Sequence, residues 1–249
     1  MKRPRRPIPS IDSWLLDGLG EDERKLASRT LEPCAAQFLP AGARRNSGDL
    51  VRAEALGVEA GFLVVRASSP SGRHVVVAEA GAGSILLPPS AREHVQALTD
   101  CWVTVLPRPQ LERLLAIPGV AATLFQGLGT ALRLRQDATS YFAHVHHVDR
   151  VRQKLVQLAR EFGRVNPDGI RIEIPLTHDL LAEMVASARE TVTRGLDELQ
   201  RSGFVAREGH TYTLLIQPEA LELPGEISPA AADDPGSGRQ RSGRTTSPS

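Results

Sequence analysis

The sequence predicts an α+β protein: an antiparallel β-rich half, a long helix, and a C-terminal winged helix-turn-helix. Three observations carry this. Between Cys34 and Leu106, short apolar runs are divided by turn signals. From Pro118 to about His147, apolar residues recur at spacings of three and four. From Thr177, two helix-start signals follow one another closely and lead into a hairpin pattern. A chain of 249 residues, 41 % of them hydrophobic, has room for two domains and a connector.

Composition narrows the class further. No stretch approaches the roughly 18 uncharged apolar residues of a membrane-spanning helix, so no membrane partner is expected. The basic start, Met1-Lys-Arg-Pro-Arg-Arg-Pro7, is followed by no apolar run and does not read as a secretory signal, which makes a cytoplasmic protein the default. The formal net charge is only +1. That argues against a generally basic coat for nucleic acid and leaves room for a local basic surface. Cys34 and Cys101 are the two cysteines, too few for a four-cysteine iron–sulfur cluster. Both read as free thiols, and no metal site is expected.

Taken in order, residues 1–10 and the Gly-, Ser- and Pro-rich stretch 224–249 are expected to be disordered. Trp14, Leu15, Leu19 and Leu26 lie at helical spacing. The runs Gly61–Val65, His74–Ala78, Ser84–Leu87 and Cys101–Val105, separated by Ser69–Gly72 and Gly81–Gly83, predict an antiparallel sandwich or barrel. Pro107–Leu115 resumes helix. The helix from Pro118 carries Leu124, Leu128, Ala131, Ala138, Phe142 and Val145 as a stripe suited to a partner helix. A helix packed on its own domain would show the same stripe. Asp149 is a candidate N-cap for the next helix, whose apolar face is Val151, Leu155, Leu158, Ala159 and Phe162. Gly163 ends it, Asn166–Gly169 is a turn, and Ile170, Ile172 and Ile174 alternate as in a strand.

Thr177 can cap a helix over His178–Val185. After a break at Ala186, Ser187-Ala-Arg-Glu190 has the spacing of a capping box, opening a helix that runs from Ser187 to Arg201. At about 100° per residue, Ala188, Val192, Leu196 and Leu199 fall on one side, and Arg189, Glu190, Thr193, Arg194 and Asp197 on the other. A helix with one docked face and one open basic face can enter the DNA major groove by its first turns. Phe204–Ala206 and Thr211–Leu215 around Arg207–His210 predict the wing. Two amphipathic helices and a hairpin in any small α+β domain would give a similar pattern.

Here the chain resembles the Crp/Fnr family of transcription regulators. Ser187-Ala-Arg-Glu-Thr-Val-Thr-Arg194 looks like that family's Ser-Arg-Glu-Thr-Val-x-Arg signature with Ala188 added, and the likeness continues through Leu196, Leu199, Gly203-Phe204 and Gly209. The resemblance implies an effector-sensing, jelly-roll-like β-roll over 11–117, a dimerisation helix over 118–148 and a winged helix over 149–217. By position it implies Arg189, Glu190 and Arg194 as base readers, which suits their chemistry: arginine donates twice to guanine, and glutamate accepts from cytosine. Thr177, His178, Ser187, Thr191, Thr193 and Arg207 are candidates for phosphate contact or positioning.

Family members that bind a cyclic nucleotide carry a Gly-Glu pair and an Arg-Ser or Arg-Thr pair. Here Ser84 stands where the glutamate belongs and Ala91-Arg92 at the second site. Ser84 and Arg92 are therefore weak effector-pocket candidates, and cyclic AMP is not expected to bind. No cofactor is expected, although haem stays open through His74, His94 or the His144–His147 group.

The expected function is a homodimer reading a twofold-symmetric site on double-stranded DNA, with RNA polymerase as a candidate further partner. A sensor module whose winged helix binds a protein is the alternative. An enzyme is not expected, since no phosphate loop, nucleophile elbow or metal-ligand cluster occurs.

Overall fold

The computed structural model of the chain describes residues 14–68, 72–129, 132 and 146–221. Helix α1 (Glu21–Leu31) is followed by strands β1 (Ala36–Leu39), β2 (Arg44–Asn46), β3 (Ala55–Ala60), β4 (Leu63–Ser68), β5 (His74–Ala80), β6 (Ile85–Leu86), β7 (Glu93–Ala97) and β8 (Cys101–Leu106). Helix α2 (Arg108–Leu115) comes next, then helix α3 over residues 118–129. Helix α4 (His147–Phe162) leads into β9 (Gly163–Asn166), β10 (Gly169–Ile172), α5 (His178–Met184), α6 (Arg189–Arg201), β11 (Val205–Glu208) and β12 (Thr211–Leu214). The expected disordered ends at 1–10 and 224–249 lie outside the described residues. So do Ala131, Ala138, Phe142 and Val145 of the expected dimer stripe.

Two antiparallel sheets, ordered β1-β8-β3-β6 and β2-β7-β4-β5, form the predicted β-roll. Leu39, Leu56, Val58, Leu63, Val65 and Val103 fill the space between them. The outer face of the first sheet is covered by helices, through Leu15, Leu31, Leu114, Ile117 and Val120 against Ala55 and Leu106. Leu26, expected on the apolar face of α1, is 56 % exposed; the helix turns Ala27, Thr30 and Leu31 inward instead.

The single helix expected over 118–148 is interrupted. His146 is extended (φ −58°, ψ 151°) and stands at the N-cap of α4, which places Asp149 in the first turn rather than at the cap. The break has a physical reason. Leu124 on α3 packs on the helical layer of the first sheet, whereas Val151, Leu155, Leu158 and Ala159 on α4 belong to the core of the winged helix. One straight helix cannot serve both. Asp149 still faces the positive end of the α4 dipole.

The winged helix rests directly on the outer face of the second sheet. Phe62 and Val64 of the β-roll share one buried cluster with α4, α5, α6 and the third sheet, β11-β12-β10-β9. Phe162 meets Phe62 edge-on with ring centroids 4.3 Å apart. Its ring occupies the place a Cβ would need at Gly81. Two shielded ion pairs flank this contact. Arg66 on β4 donates from Nε to Glu183 of α5 at 2.6 Å, with side chains 13 % and 17 % exposed. Lys154 on α4 meets Glu79 of β5 at 2.6 Å, with side chains 12 % and 11 % exposed.

An irregularity in β5 brings Glu79 onto the same outer face as Val76. Val65 pairs with Ala78 but Arg66 pairs with Val76, so Val77 is an extra residue. Val76 packs toward the winged helix while Val77 and Ala78 pack toward the β-roll interior. Glu79, paired with Val64, thereby shares the outer face with Val76 although the two are three residues apart.

Within the head, the turn between α5 and α6 contains Ala186 at φ +46°. A Cβ in this left-handed region costs about 1–2 kcal/mol, and glycine would return roughly 0.5–1 kcal/mol of that as unfolded-chain entropy. Ala186→Gly is expected to raise unfolding free energy by roughly 0.5–1 kcal/mol in urea denaturation; a fall would show that the turn is not strained. Glu183→Gln takes the counter-ion from the shielded Arg66 charge, leaving it the side-chain oxygen of Gln96, and is expected to cost about 3 kcal/mol. The paired replacement Arg66→Met with Glu183→Leu should recover most of this loss. If the double variant is as unstable as the single, charge desolvation is not the reason.

Candidate nucleic-acid interface

Helix α6 divides into two faces. Val192, Leu196 and Leu199 are buried against α4 and α5, and Gly195 faces Val148 and Val151 of α4. Arg189, Glu190 and Arg194 are exposed. All three expected base readers thus lie on the open face, within the first turns. Arg189 is held loosely by Asp179 of α5 at 3.1 Å, with side chains 62 % and 58 % exposed. An ion pair this solvated contributes below about 1 kcal/mol, which leaves the guanidinium free to exchange partners.

The capping box predicted from Ser187 to Glu190 does not form. The helix starts one residue later than expected, with Ala188 at the N-cap and no side-chain cap. Ser187 is taken into the turn, where its amide donates to the Ala182 carbonyl at 2.9 Å. Ala188, expected on the apolar side, is exposed for the same reason. Glu190 consequently has no capping duty. At α5 the expectation holds: the Thr177 hydroxyl accepts from the Leu180 amide at 3.1 Å.

His178 and Thr193 meet across the two helices, Nδ1 to Oγ1 at 2.8 Å. The Thr193 hydroxyl donates to the Arg189 carbonyl at 2.9 Å. Burial lowers the pKa of His178 from its ordinary value, and the charges of Arg207 and Arg189 lower it further. Thr191 is half-buried beside them. On the wing, Gly209 at φ +61° and His210 make a two-residue turn between paired Glu208 and Thr211. Arg207 donates from Nε to the Gly209 carbonyl at 2.8 Å and lies over the Tyr212 ring at 5.8 Å. The wing arginine, His178 and Arg189 form one patch with the open face of α6.

Ser84 and Arg92, the weak effector candidates, belong to different sheets. The Ser84 carbonyl accepts from Val58 of β3 at 2.9 Å, and the Arg92 carbonyl accepts from Ser68 of β4 at 3.1 Å. Arg92 is exposed. Among the described residues the buried polar side chains are Thr30, Glu59 and Thr104, none in the cluster between the sheets. Thr104 alternates along β8 with Val103 and Val105, which pack toward the roll interior, so the hydroxyl it donates to Glu59 lies on the other side of the sheet.

The candidate haem histidines are scattered. His74 and His94 stand 6.2 Å apart on the outer face of the second sheet, and His74 is hydrogen-bonded to Ser68. Burial and the neighbouring Arg44, Arg66 and His74 lower the pKa of His94. His146 and His147 are exposed at the start of α4, and His144 lies outside the described residues. On α3 the expected dimer residue Leu124 packs on its own chain, while Leu128 is 62 % exposed. Phe125 and Leu132, absent from the expected stripe, are 77 % and 55 % exposed. The open ridge is therefore offset by one residue at its start. Its signal in the sequence was the i, i+3, i+7 spacing of Phe125, Leu128 and Leu132.

Known proteins show the same organisation. Residues 149–223 match the Crp-like helix-turn-helix domain. A global nitrogen regulator of Synechococcus elongatus is 32 % identical over 114 residues, 45 % of this chain and 51 % of that protein. The chain thus spans about half the length of such curated relatives. The transcriptional regulator SdrP of Thermus thermophilus is 30 % identical over 174 residues, 70 % of this chain and 78 % of its own length. The solved structure of a CooA mutant from Carboxydothermus hydrogenoformans has the same fold, with a TM-score of 0.65 at 22 % identity over 78 % of this chain and 88 % of that one. With the β-roll and the winged helix in place, the chain belongs to the Crp/Fnr family of transcription regulators.

Proposed function

We propose that this protein is a sequence-specific DNA-binding transcription regulator that acts as a homodimer. The observation that carries the reading is the open face of α6. Arg189, Glu190 and Arg194 are exposed together while the opposite face is buried in the head. Inserted in a major groove, the two arginines would donate to guanine O6 and N7, and Glu190 would accept from a cytosine amine. In that pose Thr177, Ser187, Thr191, Thr193 and Arg207 would serve as contacts to phosphate oxygens. Residues 11–117 act as the sensor unit, 118–148 as the connector and 149–217 as the DNA-binding unit.

A second copy is the fitting occupant of the α3 ridge. Phe125, Leu128 and Leu132 expose large apolar side chains along one side of a helix, an arrangement that favours helix–helix burial. Two copies related by a twofold axis present two α6 helices to the two halves of a symmetric operator. RNA polymerase is the candidate further partner of such a dimer.

Cyclic AMP is not the effector under this reading. Ser84 and Arg92 are anchored to separate sheets, and the space between the sheets is packed with apolar side chains. A cyclic phosphate placed there would lose water without gaining a buried charge partner.

Selection of bound DNA from a random pool at stated salt is expected to return a twofold-symmetric site. Arg189→Ala and Arg194→Ala should each weaken binding to that site by about 10–100-fold while leaving unfolding unchanged. If both variants bind the selected site like the parent, α6 is not the reading helix. Titration calorimetry with cyclic AMP should show no saturable heat, and the melting temperature should not move. A saturable isotherm would overturn the effector reading alone.

A further inference from the structure

We propose that His178 is a positioning residue for DNA reading and takes up a proton when DNA binds, so that affinity rises as the pH falls. This rests on the reading of α6 as the DNA-reading helix and adds the regulation of that site by protons.

The geometry begins with Thr193. Its single hydroxyl proton goes to the Arg189 carbonyl, so in the contact with His178 it is the imidazole Nδ1 that donates. The bond spans 15 residues and joins the first residue of α5 to the second turn of α6. It ties the start of α5 to the part of α6 that carries Arg189 and Arg194. The proton on Nδ1 leaves Nε2 as the basic nitrogen. Nε2 is buried and has no hydrogen-bond partner among the described residues.

The charged groups around the ring come from every element near it. Asp179 lies on its own helix, Arg189 and Asp197 on α6, and Arg207 on the wing. Burial and the two arginines outweigh the two carboxylates and hold the ring's pKa below its ordinary value in the free protein. DNA reverses that balance. Its phosphates carry one negative charge per roughly 1.7 Å of helix axis. Laid over Arg189 and Arg207, they offset the same cations that keep the proton off Nε2. The His178 pKa is then higher in the complex than in the free protein. Binding takes up a proton, and affinity grows as pH falls through the bound-state value. The gain levels off below the free-state value.

Dissociation constants for the selected operator should be measured by fluorescence anisotropy at fixed ionic strength from about pH 8 to about pH 5.5, where histidines titrate. The parent should tighten as pH falls, by up to about tenfold per pH unit for one linked proton. His178→Gln keeps a donor for Thr193 and is expected to bind with the pH dependence flattened. His178→Ala loses the strut and should bind more weakly at every pH. Proton NMR of the His178 ring should give a higher pKa in the complex than in the free protein. An unchanged pH slope in His178→Gln, or a His178 pKa that is equal or lower in the complex, overturns the proposal while leaving the reading helix intact. If the parent binds no selected DNA at any pH, the reading of α6 fails and the proposal fails with it.

Discussion

Phe162, in the last turn of α4, lies edge-on against Phe62 of the β-roll, and the position of the whole head follows from that contact. The ring fits because Gly81 has no side chain. Once it is seated, Lys154 reaches Glu79 one helical face away, and Glu183 of α5 reaches Arg66. The two ion pairs are sheltered enough that their partners hold each other rather than water. The back of α5 is committed to the β-roll, α6 packs across it, and only the polar side of α6 is left facing outward. The reading face is open because the opposite side of the helix pair is pinned.

The second sheet of the β-roll carries ionisable side chains on the side toward the head. Arg66, Glu79, His74 and His94 all stand on the outer side of the second sheet, toward the head or beside it. Between the sheets the side chains are apolar. Such a roll is built to support a neighbouring domain by its outer surface. The interface at Phe62 and Arg66 is where the β-roll touches the head that carries α6.

The parts of this architecture that were legible in the sequence are those fixed by near neighbours. Thr177 caps α5, the Asn166–Gly169 turn joins β9 to β10, and the wing turns at Gly209. Each depends on residues a few positions apart. Strand β3 was not legible, because both of its faces are covered and Ala55-Leu-Gly-Val-Glu59 shows no alternation. Strand β7 was missed because His94 and Gln96 on its outer side look solvated until the head covers part of that sheet. The capping box failed because the positive φ of Ala186 draws Ser187 into the turn and moves the helix start to Ala188. Phe62 and Phe162 are a hundred residues apart in the chain, and no local pattern pairs them. Helical periodicity alone separates Arg189, Glu190 and Arg194 from Val192, Leu196 and Leu199, whereas their selection as candidate readers came from the family resemblance.

The extra residue at Val77 has a consequence for how this chain can change through time. Loss of that one residue would restore regular alternation and leave Glu79 still opposite Val64 on the outer face, where Lys154 keeps its counter-ion. The stretch from Glu79 to Gly81 has no such slack, because the carboxylate and the bare backbone that receives the Phe162 ring are set at a fixed spacing. Descendants of this chain should therefore accept a one-residue gap at Val77 or Ala78 while keeping the interval from Glu79 to Gly81.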